Sequence, residues 1–228
     1  VRIRRWTDRD LGFISPGLFI PLAEERGFID SLTDTLLRKA AETAKNWPSH
    51  LFLSFNLSSI QLTDPATCHN VMAILSSVGL DPRRLELEIT ETAMMSDPET
   101  AGEVVNELRS FGIRISLDDF GTGQSSLGRL RDFAFDKVKI DRSFVNEITV
   151  DRSSETIVKA ILAMCDGLDL KVIAEGIETP EQAAKLLELG CRAGQGYLFG
   201  KAVNSETTYA LIKSEREAQS RQERELRA

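Results

Sequence analysis

A chain of 228 residues with 42% hydrophobic content has enough apolar surface to bury a sizeable core, and a single domain is the expected organisation. Its 28 Lys and Arg against 35 Asp and Glu leave a formal charge of -7, which argues against the broad basic surface that holds duplex nucleic acid, while a small anionic ligand needs only locally recruited cations. The three cysteines, Cys68, Cys165 and Cys191, are odd in number and far apart, so neither a disulfide framework nor a zinc ribbon is indicated, and a reducing, cytoplasmic compartment fits them. No secretory leader opens the chain and no apolar run approaches the roughly 20 residues that span a bilayer, so no membrane contact is expected of this segment, although a parent protein could be membrane-anchored.

In chain order, short strand-like runs take turns with longer helical ones. VRIRRW (1–6) alternates apolar and cationic residues. Helical patterns follow near 18–27 and 30–46, then a strand at 51–58, a helix at 66–78, a strand at 85–90, a helix at 99–110 and a strand at 113–119. The second half continues with a helix at 125–133, a strand at 137–141, a helix at 153–167, a strand at 171–175, a helix at 180–188, a weaker strand at 194–199 and a last helix starting near Glu206. Strand, helix, strand at this rhythm implies parallel strands with crossover helices. Seven strands approach the eight of a TIM-like (β/α)8 barrel, with a doubly wound open sheet as the alternative. Asp97-Pro98-Glu99 and Thr179-Pro180-Glu181 each set a capping side chain before a proline at the first helical position. The stretch 213–228 is polar on every face, so the barrel domain is expected over 1–212 with a charged helical extension or linker after it.

The strands carry polar and ionisable residues at their C-terminal ends: Asn56, Glu88, Asp118 and Asp119, Lys139 and Asp141, and Glu175. Period-2 alternation places Leu85, Leu87 and Ile89 opposite Glu86, Glu88 and Thr90, and Val138 and Ile140 opposite Lys137, Lys139 and Asp141. On one strand this reads equally well as a solvent-exposed face. On five within a parallel pattern it does not, because parallel strands are covered on both sides, so the ionic face is expected to point into the barrel's C-terminal mouth. Carboxylates gathered in a restricted space repel one another and must protonate or find cations. Oxygen donors of this kind suit Mg2+, Mn2+ or Ca2+, and the adjacent Asp118 and Asp119 can serve two neighbouring ions. A pair of ions points to phosphodiester hydrolysis, with Lys139 positioning water or offsetting transition-state charge. The loop FGTGQSS (120–126) directly follows these acids and reads as a closing loop over the site. His50 and His69 lie outside the clusters and are expected at the surface.

FIPLAEERGFI (19–29), NLSSIQL (56–62), ELEITET (86–92), DDFGTGQSSLGRL (118–130), KIDRSFV (139–145), IAEGIET (173–179) and QGYLFGK (195–201) together resemble, in order, the blocks of the EAL domain, the cyclic di-GMP phosphodiesterase barrel. The resemblance runs from about Val1 to Val203. It implies a TIM-like barrel with an antiparallel first strand, and metal-dependent hydrolysis of cyclic di-GMP to linear pGpG with two divalent cations, Mg2+ or Mn2+, and Ca2+ inhibitory. It also implies metal ligation by Asn56, Glu88, Asp118, Asp119 and Glu175, catalytic roles for Lys139, Glu175 and Asp141, and substrate contacts from Arg5, Gln61 and Gln195. Glu91 with the loop residues Asp119, Phe120, Gly121, Thr122 and Gly123 resembles the family's gate. The guanine dinucleotide comes from this resemblance and not from composition.

One block departs from the pattern. The family's Glu-Ala-Leu triplet, whose glutamate ligates a metal, falls on Val1-Arg2-Ile3 when Arg5-Trp6 is placed on the family's Arg-Trp. Either Val1 replaces that glutamate, or it stood upstream of Val1 and the following loop is about three residues longer; under both alignments the antiparallel first strand has no counterpart here. Three functions follow: an active phosphodiesterase, a receptor that binds cyclic di-GMP without cutting it, and a regulatory or homodimer-forming module of a larger protein with upstream sensory or cyclase domains. The first is favoured, because a receptor has no need of Lys139 or of every carboxylate.

Overall fold

The structure, a computed structural model, describes residues 6–10, 12–121 and 133–225, with side chains described at 9, 10, 12–121 and 133–215. Two three-residue strands, β1 (Trp6–Asp8) and β2 (Gly12–Ile14), pair antiparallel as a separate ribbon, with Trp6 opposite Ile14. The Ser15 hydroxyl then caps α1 (Pro16–Glu25), accepting from Gly17 N at 3.3 Å, and Pro16 occupies the first turn where its missing N–H costs nothing. Helix α2 (Ile29–Ala44) buries Leu37, Ala40, Ala41 and Ala44, spacings of three and four that form one apolar stripe.

The remaining elements alternate as the sequence rhythm implies: β3 (Leu53–Asn56), α3 (Ser59–Leu62), α4 (Ala66–Val78), β4 (Leu85–Thr90), α5 (Pro98–Ser110), β5 (Arg114–Phe120), β6 (Lys137–Ile140), α6 (Arg142–Glu147), α7 (Arg152–Gly167), β7 (Lys171–Glu175), α8 (Pro180–Glu188), β8 (Gly194–Gln195) and α9 (Ser205–Glu225). Strands β3 to β8 lie side by side in chain order, every neighbouring pair parallel. The sheet is the curled part of a (β/α)8 barrel; among the described residues no strand pairs with the outer edges of β3 and β8. Leu85, Leu87, Ile89, Ile115, Leu117, Val138, Ile140 and Ala174 turn outward and join the helices in one continuous core. Their alternation partners fill the concave side.

The proline-marked helix starts form as expected. The Asp97 carboxylate accepts from Thr100 N at 3.2 Å, and Thr179 and Gln182 make a reciprocal capping box. Two expectations fall largely outside the described residues and one differs from the sequence reading. Of the strand-like run VRIRRW, residues 1–5, Arg5 included, lie outside the described residues, and Trp6 begins the antiparallel ribbon. In the expected helix at 125–133, residues 125–132 lie outside the described residues, and the described Phe133 is not helical. The run 194–199 pairs only over Gly194–Gln195, because the backbone of Ile177 crosses it: a Cβ on Gly196 would stand 2.0 Å from the Ile177 carbonyl oxygen. Ile177 N donates to the Gln195 carbonyl at 3.1 Å and Leu198 N to the Ile177 carbonyl at 3.0 Å, replacing the strand ladder with a clasp. No helix among the described residues is long and apolar enough to cross a membrane.

Candidate metal centre

The concave face of the sheet holds two ionic layers. In the layer nearer the strands' N-terminal ends, Lys137 of β6 reaches both carboxylate oxygens of Glu86 of β4, at 2.8 and 2.6 Å. The Lys137 ammonium and the Arg114 guanidinium also lie 4.7 and 4.4 Å from the Phe52 ring centroid. Register accounts for this cluster: Glu86 pairs with Arg114, and Ser116 with Lys137. The residues two positions further along each strand form the layer at the mouth.

There Lys139, 2% exposed, ion-pairs with Glu88 Oε1 at 2.9 Å, with Asp118 Oδ1 at 3.0 Å and with Glu175 Oε1. Glu88 also accepts from Ser54 Oγ at 2.6 Å and from Asn56 Nδ2 at 3.0 Å, and Gln195 Nε2 donates to Glu175 Oε1. Burial alone would push the Lys139 ammonium down; the charges of Glu88, Asp118 and Glu175 outweigh it and hold the pKa above the usual lysine value. Burial likewise pushes the Glu88 carboxyl up, but the Lys139 charge and the Ser54 hydrogen bond leave it below the usual glutamate value.

Asp118 and Asp119 are neighbours on a strand, where side chains ordinarily point to opposite faces. A register shift brings them together: Leu117 pairs with Val138 but Phe120 with Ile140, three steps on β5 against two on β6. The extra residue kinks the strand, and Asp119 takes a left-handed backbone, φ 54°. Carboxylate oxygens of Asp118, Asp119 and Glu175 then all lie within 4.8 Å of one another. Buried Asp118 and Glu175 with exposed Asp119 form a hard-oxygen site open on one side. The donor chemistry and the surplus of carboxylates over ammonium both fit divalent cations.

The structure brings Asn56, Glu88, Asp118, Lys139, Glu175 and Gln195 into one connected cluster, with Asp119 at its open side. Other expected site residues have different described contacts. The Asp141 carboxylate caps α6, accepting from Ser143 N at 2.9 Å. Its carboxyl sits below the usual range: burial raises it, but Ser143 and Arg142 outweigh that. Gln61 was expected to line the mouth. It is buried and faces α2, accepting from Thr33 Oγ1 at 3.0 Å and donating to Asp30 Oδ1 at 2.8 Å, because the single turn of α3 aims it there. Glu91 is buried at the start of a short 3-10 turn, Thr92–Met94, and its Oε2 has no hydrogen-bond partner among the described residues. Phe120 is buried, with Gly121 beside the Phe144 ring. Thr122 and Gly123 lie outside the described residues. His50 and His69 are exposed, as expected. Sequence reading missed Ser54, which period-2 alternation from Asn56 would have found, and the pairing of Lys137 with Glu86, both visible on the ionic face but of unknown depth.

The family model described as EAL domain matches residues 2–202. An uncharacterized signaling protein of Caulobacter vibrioides is 45% identical over 197 residues, which is 86% of this chain and 24% of that protein. The cyclic di-GMP phosphodiesterase NbdA of Pseudomonas aeruginosa is 39% identical over 201 residues, 86% of this chain and 26% of that protein. The bifunctional diguanylate cyclase/cyclic di-GMP phosphodiesterase MucR of the same organism is 36% identical over 212 residues, 91% of this chain and 31% of that protein. The chain thus spans about a quarter to a third of the length of these relatives. A structure of the MucR phosphodiesterase in complex with c-di-GMP superposes with a TM-score of 0.84 at 36% identity, covering 90% of this chain and 84% of that one. A Klebsiella pneumoniae BlrP1 calcium/cyclic di-GMP complex gives 0.72 at 30% identity, over 81% of this chain and 47% of that one. A profile match along nearly the whole chain, relatives at this identity and a shared barrel lead to one assignment: the chain belongs to the EAL domain family.

Proposed function

We propose that this chain hydrolyses cyclic di-GMP to linear pGpG, with two divalent cations, Mg2+ or Mn2+, held by Asn56, Glu88, Asp118, Asp119 and Glu175, and with Ca2+ as an inhibitor. The observation that carries this reading is the charge imbalance among the described residues at the mouth, where four carboxylates, Glu88, Asp118, Asp119 and Glu175, gather with the ammonium of Lys139. Bound there, such cations supply an ionised water and neutralise phosphoryl charge. Lys139, held by its three carboxylates, places a fixed positive charge where a phosphoryl oxygen gains negative charge. Gln195 fixes the orientation of Glu175, and Glu88 takes the Asn56 amide nitrogen so that the amide oxygen is the atom left for a ligand. Asp141 secures the first turn of α6 directly after the strand that carries Lys139. Arg5 meets a substrate phosphate, and Glu91 with the loop from Asp119 to Gly123 forms the gate. The catalytic unit is the barrel of residues 1–212, acting in the cytoplasm within a longer signalling protein, with 213–228 as its extension.

Incubating the purified chain with cyclic di-GMP and Mn2+ or Mg2+ tests this: linear pGpG is the expected product, and intact dinucleotide with both metals overturns it. A second reading, a receptor that binds without cutting, follows from the one of the two alignments that sets Val1 on the family's first metal-ligating glutamate. Calorimetric binding of cyclic di-GMP without turnover would select it, since losing one shared ligand removes about 10³-fold or more in rate.

A further inference from the structure

Asn56 stands at the end of a four-residue strand, and the turn after it is held from two sides. On one side, Leu57 N donates to the Glu88 carbonyl at 2.9 Å, extending the β3–β4 pairing by one bond. On the other, the turn is tied to α1 and α2, neither of which contributes a carboxylate to the metal centre. Ser58 caps α3 by accepting from Ile60 N at 3.3 Å, which leaves its one hydroxyl proton for Glu24 Oε1 of α1, at 2.6 Å. Three residues on, Gln61 uses both ends of its amide on α2, at Thr33 and Asp30. A half-buried charged acceptor and a buried amide bonded at both its nitrogen and its oxygen thus pin a short turn whose preceding residue is a proposed ligand.

We propose that Glu24, through Ser58, and Gln61, through Asp30 and Thr33, are positioning residues that fix the Asn56 amide in its ligating orientation. This rests on the metal-ligand reading of Asn56 above. Outer partners that orient a metal ligand typically change affinity by about 10–100-fold when removed. A brace serving only to attach α1 to the barrel would lower stability and leave Asn56 and the metal unaffected.

Two measurements separate these roles. In metal-free protein, the Asn56 side-chain amide signals in a nitrogen-proton correlation spectrum are expected to shift in Glu24→Ala and in Ser58→Gly, and to stay near the wild-type position in Glu24→Gln, whose side-chain oxygen still accepts from Ser58. Unmoved signals in both the Ala and Gly variants overturn the proposal. Glycine is tolerated at a helix N-cap, so Ser58→Gly keeps the test open if Glu24→Ala folds poorly. In the second measurement, calorimetric Mn2+ binding is expected to weaken by about 10-fold in Glu24→Ala, with no further weakening when Asn56→Ala is already present. Losses that add across the two substitutions overturn it, because Glu24 would then act independently of Asn56. If wild-type protein binds no Mn2+, the ligand reading fails while the amide signals still decide whether the brace sets Asn56.

Discussion

Glu86 with Lys137 and Glu88 with Lys139 are the same two residue types on the same two strands, one layer apart, and they behave oppositely. The inner pair is balanced: one carboxylate, one ammonium, both carboxylate oxygens engaged and little side chain exposed. In the outer layer, among the described residues, one ammonium, that of Lys139, is shared among Glu88, Asp118 and Glu175, with Asp119 at the open side. A buried pair that satisfies itself has no use for a ligand, whereas surplus carboxylates around one cation demand more positive charge. Depth in the barrel, not residue type, separates the self-satisfied ion pair from the proposed metal centre.

The comparison breaks most sharply in activity. Asp118→Ala is expected to lower kcat/KM for cyclic di-GMP by about 10³-fold or more, and retention of more than a tenth of the wild-type value would remove it from the centre. Lys137→Met should act on stability instead. It strands the charge of Glu86, 2% exposed, and is expected to cost about 3–5 kcal/mol in urea unfolding. Replacing both partners, Glu86→Leu with Lys137→Met, should recover most of that loss, since two apolar groups leave no unpaired charge. A double variant no more stable than the single one would show that the inner pair does more than balance charge. Metal sharpens the contrast further. At 100 times its dissociation constant, Mn2+ should stabilise the wild-type protein by about 2.7 kcal/mol by mass action, and Lys137→Met should respond by the same amount. Glu175→Gln should respond by clearly less at the same Mn2+ concentration, and equal thermal shifts in all three would place the ion outside the mouth.

Much of this contrast was legible in the sequence. Period-2 alternation put Glu86, Glu88, Lys137 and Lys139 on one face, and the strand ends named most of the cluster. Alternation is blind to depth, however, so it did not distinguish Lys137 from Lys139. It also fails at Asp118 and Asp119, because the β-bulge that aligns them is a pairing defect between β5 and β6 and not a property of either run. The contacts of Gln61 with Thr33 and Asp30 of α2 were likewise not legible, because they join residues about thirty positions apart in the sequence. The run 194–199 has the composition of a six-residue strand, but the close approach of Ile177 to Gly196 confines pairing to two residues. Each of these features depends on contact with a segment distant in sequence.

Ser116 marks the seam between the layers, paired in register with Glu88 on one side and Lys137 on the other. It is fully buried, and its hydroxyl has no hydrogen-bond partner among the described residues. An unsatisfied buried hydroxyl costs its desolvation without return, so Ser116→Ala should leave the protein as stable as the wild type or about 1 kcal/mol more stable. Its neighbours are already satisfied: Glu88 by Ser54, Asn56 and Lys139, and Lys137 by Glu86. If urea unfolding instead shows Ser116→Ala to be destabilised by more than about 1 kcal/mol, the hydroxyl joins the two layers, and the inner pair is then part of the metal centre's support.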